Sequence, residues 1–556
     1  MWILTGCMIA ALILGGGYYV SVSACIGIIM LGVLFFRMYV RRQVTAAWDL
    51  NMLAFAVLIL GYLAAVLWAV DSGMALPGVV KFLPLLLFYV LVSGAEDDRE
   101  RMVDLLPMAG ALMTLFSFLM MQFPVFEEWV TVAGRLAGFF QYPNTYAVFM
   151  LVCLIITVWR IDYKNPDWLD VVYAAAAVFG IFMSGSRTVY VLTAAVAVWL
   201  LVIRGTARKT FLLIIAAGGA GAVIIALIAG GTNILERFTE ISFGASTFLG
   251  RLLYVRDAVP LILKHPFGLG YYGYYFAQQS VQTGVYSVVN AHNELVQILL
   301  DVGILPAVVM CAALGRSVFT KRTGMRNRMV LVVLLLHSLM DYDFQFISMG
   351  FVLILFLDMR NVRTYKTPPL TGTVVGMTGA AAAALAVCGG VSDLCYTQGK
   401  YEVSLKIYSG NTLAETALLT EAETVEEMKA RADSLLSRNS YLSVAYSARA
   451  RAAFSEGDVE QFIEDKLTAI RLAPYQYEEY IDYLEILAYC ESMYLQNGSL
   501  EDAKICADRA SEIPDMLDEV KEKTSRLGWA IVDRPRVTLS QENIALINEM
   551  EELADE

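Results

Sequence analysis

The sequence predicts an all-α protein: a polytopic membrane helix bundle of about 12–13 spans, followed by a soluble α-helical repeat domain. Three observations predict it. The 556 residues are 58% hydrophobic and only 17% charged, with a mean hydropathy of +0.59, whereas soluble domains run at ~45–50% apolar and ~25% charged. Charge also divides along the chain: residues 1–390 hold 25 basic and 20 acidic residues, and residues 391–556 hold 16 and 33. Finally, apolar stretches of spanning length recur through the first part, while the second is polar and helix-patterned. The same figures exclude a disordered, collagenous or disulfide-dense chain. Eight cysteines without a CxxC or Cys/His ladder give no metal site, and nothing calls for a cofactor. The acidic total of −12 argues against nucleic acid as a partner.

The apolar stretches lie near 2–20, 21–38, 50–70, 74–93, 102–122, 144–159, 168–184, 188–203, 211–230, 294–314, 329–340 with 345–357, and 372–390. The pair flanking Asp341 and Asp343 is too short to cross twice and reads as two short helices or a re-entrant pair. The first stretch has no charged leader and no small-residue cleavage site, so it is read as a membrane helix. With the N-terminus in the cytoplasm, 18 of the 25 basic residues of the first part fall in cytoplasmic loops, as the positive-inside rule requires. Six remain outside: Arg135, Arg187, Arg237, Arg251, Arg256 and Lys264. The expected location is the plasma membrane, with residues 391–556 forming an extracytoplasmic domain after a membrane domain over 1–390.

External arginines at helix ends require a partner or a purpose, because desolvating them is costly. Snorkelling toward headgroups is the plain alternative for any one of them. Four of the six sit in one long external loop, 231–293, with two of the three histidines, and loops of this length are usually functional. Leu249–Leu263 reads as an amphipathic helix. Gly268-Leu-Gly270-Tyr-Tyr-Gly273 matches GxGxxG in letters, but it follows a helix ending in His-Pro outside the membrane, not the strand of a βαβ unit that a dinucleotide site needs. Its glycines are expected to make turns. Tyr271, Tyr272, Tyr274 and Tyr275 are read either as an interfacial belt or as a sugar platform.

Four stretches then resemble the bacterial O-antigen ligase family of lipid-linked glycan ligases and polymerases. They are Gly134-Arg135-Leu-Ala-Gly138-Phe139-Phe-Gln-Tyr-Pro143-Asn144; Ser184-Gly185-Ser186-Arg187; Gly250-Arg251 with His265-Pro266-Phe-Gly268-Leu-Gly270; and Ala291-His292-Asn293-Glu294 leading to Gly303. The resemblance covers about residues 120–350 and implies transfer of a glycan from undecaprenyl diphosphate to an acceptor hydroxyl, with no metal and no cofactor. Arginines would grip the diphosphate and stabilise the charge that grows on it as it leaves. A histidine is suited to take the hydroxyl proton. On this reading His292 is the base and Arg187 and Arg251 are the main clamps. Arg135, Arg256, Asn144, His265 and Asn293 are further substrate-binding candidates. Plainer readings stand beside these: Asp257 neutralises Arg256, His265 shapes the turn before Pro266, and His292 belongs to a helix-start cap. His337, four residues before Asp341, is expected to form a helical pair with it that is structural or gating rather than catalytic.

Beyond residue 396 the pattern is helix–turn–helix. Tyr446, Ala450, Ala453, Phe462, Ala469 and Pro474 fall at the spacings of a tetratricopeptide unit, with Gly457-Asp458 at the turn and Lys466 where an aromatic is usual. Two or three such units are expected, with 531–556 as a loosely held acidic tail. Such a domain would dock a protein partner or an acceptor, or act as a passive cap. The partners implied are the membrane, an undecaprenyl-diphosphate-linked glycan and a glycan, lipid or protein acceptor. The competing function classes are a polymerase of the same superfamily, a lipid-linked glycan flippase or transporter, and a non-catalytic scaffold.

Overall fold

A computed structural model describes residues 2–162, 165–203, 216, 218–221 and 246–555. Most of the span expected near 211–230, the basic residues Lys164, Arg204, Arg208, Lys209 and Arg237, and the start of the long loop lie outside them. Among the described residues, five helices are long and apolar enough to cross a membrane: Val20–Val40, Ser72–Val92, Glu96–Met120, Pro143–Arg160 and Thr371–Thr397.

The longer helices of the bundle, numbered in chain order, are α1 (Trp2–Ile13), α2 (Val20–Phe35), α3 (Leu50–Ala65), α4 (Ser72–Val92), α5 (Glu96–Met120), α6 (Pro143–Arg160), α7 (Trp168–Ser184), α8 (Arg187–Ile203), α9 (Ser246–Lys264), α10 (Glu294–Val302), α11 (Ile304–Phe319), α12 (Met325–Ser338), α13 (Ile347–Phe356) and α14 (Pro369–Thr397). Helix α6 is apolar on every side and accordingly buried without a gap from Thr145 to Val158. Helix α13 is likewise buried along its whole length. At ten and twelve residues, α13 and α1 are each too short to span alone. They meet at Gly16, whose carbonyl accepts from Ser348 Oγ at 2.7 Å. Gly16 is left-handed (φ 64°), and a Cβ there would lie 2.4 Å from the Phe140 ring, so only glycine permits this approach.

Two corrections to the expected spans follow from backbone chemistry. The stretch 294–314 is not one helix but two, α10 and α11, broken at Gly303 (φ 85°). The His265–Gly270 segment threads the break: Leu269 N donates to Leu300 O, Gly270 N to Asp301 O and Ile304 N to Pro266 O. Gly268 therefore serves backbone contact, since a Cβ on it would meet Asp301 O at 2.5 Å. His337 does not pair with Asp341, because α12 ends at Ser338 and helical spacing lapses beyond it. Its Nδ1 lies 2.6 Å from Asp343 Oδ2 instead, and Thr145 Oγ1 donates to Asp343 Oδ1.

The described loops that charge counting put on one side are joined at one end of the bundle. Strands β1 (Gln43–Ala47) and β2 (Val362–Lys366) pair antiparallel there. Arg316 approaches Asp49, Arg326 binds Glu100 at 2.8 Å, and Arg160 pairs with Asp170. The opposite end carries the segments after α1, after α3 and before α6, the α7–α8 turn, α9, and the α12–α13 link.

Helix α14 runs straight through the composition step at Val391–Asp393 and stops at a left-handed Gly399. Asp393 accepts from Ser21 N at 2.9 Å. Beyond it, α15 (Thr412–Thr420), α16 (Val425–Arg438), α17 (Ser443–Glu456), α18 (Val459–Leu472), α19 (Tyr477–Gln496), α20 (Leu500–Ser511), α21 (Ile513–Lys523) and α22 (Gln541–Asp555) pack as successive helices. The expected α17–α18 pair turns at left-handed Gly457, and Asp458 caps α18 through Gln461 N. Ala450, Ala453, Phe462 and Ala469 are buried. Lys466 is buried as well, held by Glu479, Asp482 and Ser447 Oγ, which accounts for a cation in that position. The tail is not loose: Ile547 and Met550, three apart on α22, are buried in the core with α19 and α20.

This part rests on the bundle at several places. Asn439 Nδ2 donates to the buried Asp71, and Tyr408 OH to Gly73 O. Farther on, Ser525 N donates to Thr283 O, and Val532 N to Ser246 Oγ at the start of α9.

Candidate functional site

The α12–α13 link places Asp341 at the centre of a polar cluster. Its side chain is 1% exposed, so its charge must be met by protein groups. Arg251 donates to Oδ2 at 2.9 Å and Asn144 Nδ2 at 2.8 Å, while Tyr142 OH donates to Oδ1 at 2.7 Å. His292 Nδ1 stands 3.3 Å from Oδ1, outside hydrogen-bond alignment. Catalytic contacts are often this loose before substrate binds.

Local structure explains each placement. Arg135 follows a two-residue hairpin between Thr131–Val132 and Arg135–Leu136 whose turn residues, Ala133 (φ 49°) and Gly134 (φ 69°), are both left-handed, as a type I′ turn requires. From there Arg135 donates to Asn144 Oδ1 at 2.7 Å and to Ser184 O at 2.7 Å. Asn144 stands at the start of α6 behind Pro143, a residue suited to a helix's first position. Ser184 ends α7, where left-handed Gly185 turns the chain so that Arg187 opens α8. Arg187 donates to Thr247 Oγ1 at 2.8 Å. Thr247 lies four residues before Arg251, so both occupy one face of α9. Arg251 is mostly buried, its side chain 16% exposed.

His292 takes a left-handed backbone (φ 50°), a conformation that costs a non-glycine residue energy and recurs at functional sites. Its neighbours hold it there. Asn293 caps α10 through Val296 N and donates to Leu339 O at 2.8 Å. Glu294 accepts from Phe344 N at 2.6 Å and Gln345 N at 3.2 Å. The segment 291–294 thus braces the link that carries Asp341. The Tyr342 ring packs edge-on to His292, with centroids 4.8 Å apart.

Of the eight residues singled out from sequence, the structure brings Arg135, Asn144, Arg251 and His292 into one network, with Arg187 tied to the same face of α9. Asn293 acts there as a cap. Arg256 is exposed and apart, and its neighbour Asp257 turns inward to Thr283 and Tyr286. Burial pushes the Asp257 carboxyl up against those hydrogen bonds. His265 sits in the turn before Pro266, where burial and Lys264 push its pKa down. The tyrosine cluster is no interfacial belt, because Tyr271 and Tyr274 are buried. Sequence reasoning missed Asp341 and Tyr142 as site residues. The available signal was an acidic pair between two apolar stretches too short to cross.

The fold and site define a polytopic helical membrane protein with a cationic, histidine-bearing cluster at one end. A family model described as O-antigen ligase matches residues 172–311. That match contains Arg187, Arg251 and His292, leaves Arg135, Asn144 and Asp341 outside, and supports an O-antigen ligase-like character. No curated protein and no solved structure matches the chain.

Proposed function

We propose that the protein is a plasma-membrane glycosyltransferase that moves a glycan from an undecaprenyl-diphosphate-linked donor to an acceptor hydroxyl on the external face. The observation that carries this reading is the convergence on Asp341 of Arg251, His292, Asn144 and, through Asn144, Arg135, from separate segments. An arginine-rich, half-buried site at headgroup level suits a diphosphate. The N-terminus is then cytoplasmic and the helices beyond α14 are extracytoplasmic, a docking domain of tetratricopeptide-like units.

In the reaction the acceptor oxygen attacks the anomeric carbon as the carbon–oxygen bond to the diphosphate breaks. The bonding pair leaves on the diphosphate, where Arg187 and Arg251 stabilise the growing charge, with Arg135 behind them. The hydroxyl proton passes to His292 through Nε2, the nitrogen opposite Asp341. Asp341 positions the ring and stabilises the imidazolium, as a carboxylate does for other histidine bases. In-line attack inverts the anomeric centre and requires no metal.

Purified protein, lipid-linked glycan and candidate acceptors test the reading in one assay without added metal. One product on a new acceptor identifies a ligase, and a ladder of lengths identifies a polymerase. Absence of transfer by the intact, folded protein to any acceptor refutes the proposal.

A further inference from the structure

Helices α19 and α22 enclose a groove of about 340 Å³ between them. Its walls are one stripe of each helix. Glu491 and Leu495 stand four apart on α19, and Leu546, Glu549, Met550 and Leu553 fall at i, i+3, i+4 and i+7 on α22. Met550 is buried at the floor, whereas Leu553 is 42% exposed. The groove is therefore lined with apolar surface and open along its rim.

Glu491 is out of keeping with that lining. The residue is 3% exposed, yet among the described residues no donor reaches its Oε1. A buried carboxylate without a partner costs free energy that a bound cation would recover. Burial, and then the charge of exposed Glu549 on the opposite wall, push the Glu491 carboxyl up to about 7. Among the described residues the lining holds no basic group to answer either charge. Two surrounding features have the same sign. The groove reaches Leu495 in the last turn of α19, the negative end of the helix dipole. Residues 391–556 hold 33 acidic against 16 basic side chains, a field that draws cations.

Charge and lining together specify a ligand with a cationic head, to sit between Glu491 and Glu549, and an apolar stem, to lie along Leu495, Leu546 and Met550. A bare metal ion would leave the apolar wall unused, and no group of three or more metal-ligating side chains occurs among the described residues. Lysine and arginine carry such a head on such a stem. We propose that this groove docks a lysine or arginine side chain borne on an apolar segment of a partner protein. The head donates charge-assisted hydrogen bonds to Glu491, and the flanking apolar residues cover the rim at Leu553. The inference stands on α19 and α22 alone and goes beyond the glycosyltransferase reading, whose failure would leave it intact.

The test uses full-length protein in lipid nanodiscs, with empty nanodiscs subtracted, and reads binding by fluorescence anisotropy. The probe is the dye-labelled peptide acetyl-Ala-Leu-Lys-Leu-Ala-amide, beside a matched peptide with glutamine in place of lysine. At about pH 8 the Glu491 carboxyl is mostly ionised. The lysine peptide should bind about tenfold tighter than the glutamine peptide, the weight of one hydrogen bond between charged groups. Glu491→Gln, which keeps the size of the side chain, should abolish that preference, with a melting curve to confirm the fold. Leu553→Ala at the exposed rim should weaken the lysine peptide about threefold, as lost apolar contact does. Glu552→Gln, one residue off the stripe, should leave binding unchanged. Equal affinity for the two peptides, or a preference that survives Glu491→Gln, overturns the proposal. So does an equal loss in Glu552→Gln, which would mark diffuse surface charge as the cause.

Discussion

Asp49 and Asp341 are two aspartates at opposite ends of the same bundle, each with its side chain 1% exposed. Their partners differ in kind. Asp49 accepts from three backbone N–H groups, of Asn51, Met52 and Arg360, and from Tyr89 OH, with Arg316 held off at 3.8 Å. It caps α3 and ties the α3 start to Arg360, just before the Val362–Lys366 strand. Asp341 accepts from Arg251, Asn144 and Tyr142 side chains and faces His292. Both carboxylates are satisfied, so burial and hydrogen-bond number do not separate structure from function. What separates them is that Asp49's donors are mostly fixed in the backbone, whereas Asp341 holds titratable and cationic side chains that a substrate can use.

The comparison breaks most sharply at His292. His292→Ala should lower transfer by about 10²–10⁴, the range for a lost general base, with the protein still folded in the membrane; transfer at wild-type rate would remove the base from His292. Asp341→Asn comes next. It should lower kcat by about 10²-fold by leaving His292 and Arg251 without their carboxylate, read in the same assay beside a melting curve that separates instability from lost chemistry. Arg251→Lys keeps the charge but not the planar fork, so it should raise the donor KM more than it changes the acceptor KM.

At the other end, Asp49→Ala should lower stability by about 1–2 kcal/mol, as a lost helix cap does. Transfer per folded molecule should stay near wild type. A large catalytic loss there would erase the distinction between the two aspartates. The smallest effect is expected far from both. Buried Glu491 on α19 has its pKa pushed up to about 7 by burial and by Glu549 of α22. Its folded pKa lies above the ordinary carboxylate value, so its contribution is present in acid and lost as pH rises through about 7. Thermal melts of the helices beyond α14 should therefore fall between pH 5 and pH 8, and Glu491→Gln should flatten that slope.

Much of the bundle was legible because hydropathy reports where a chain meets lipid. Among the described residues, the loops grouped by counting charge are loops that meet at one end. Arg135, Arg187, Arg251 and His292 stood out as polar residues where a membrane chain avoids them. Gly303 did not announce a broken helix, since an isolated glycine is common inside spans and the segment that fills the break lies 33 positions earlier in the chain, at Gly270. The tail was misread because its net charge hid an apolar face of Leu546, Ile547, Met550 and Ala554.

The sequence by itself determined the helical class, the charge division and the cationic residues, because each follows from composition and local spacing. Only the tertiary structure decided that Asp341 binds Arg251 and Asn144 and faces His292, that His337 belongs to Asp343, and that Arg256 and His265 stand apart. Those pairings join residues up to 199 positions apart, as between Tyr142 and Asp341. The packing of short helices sets such distances, and no local period in a sequence encodes them.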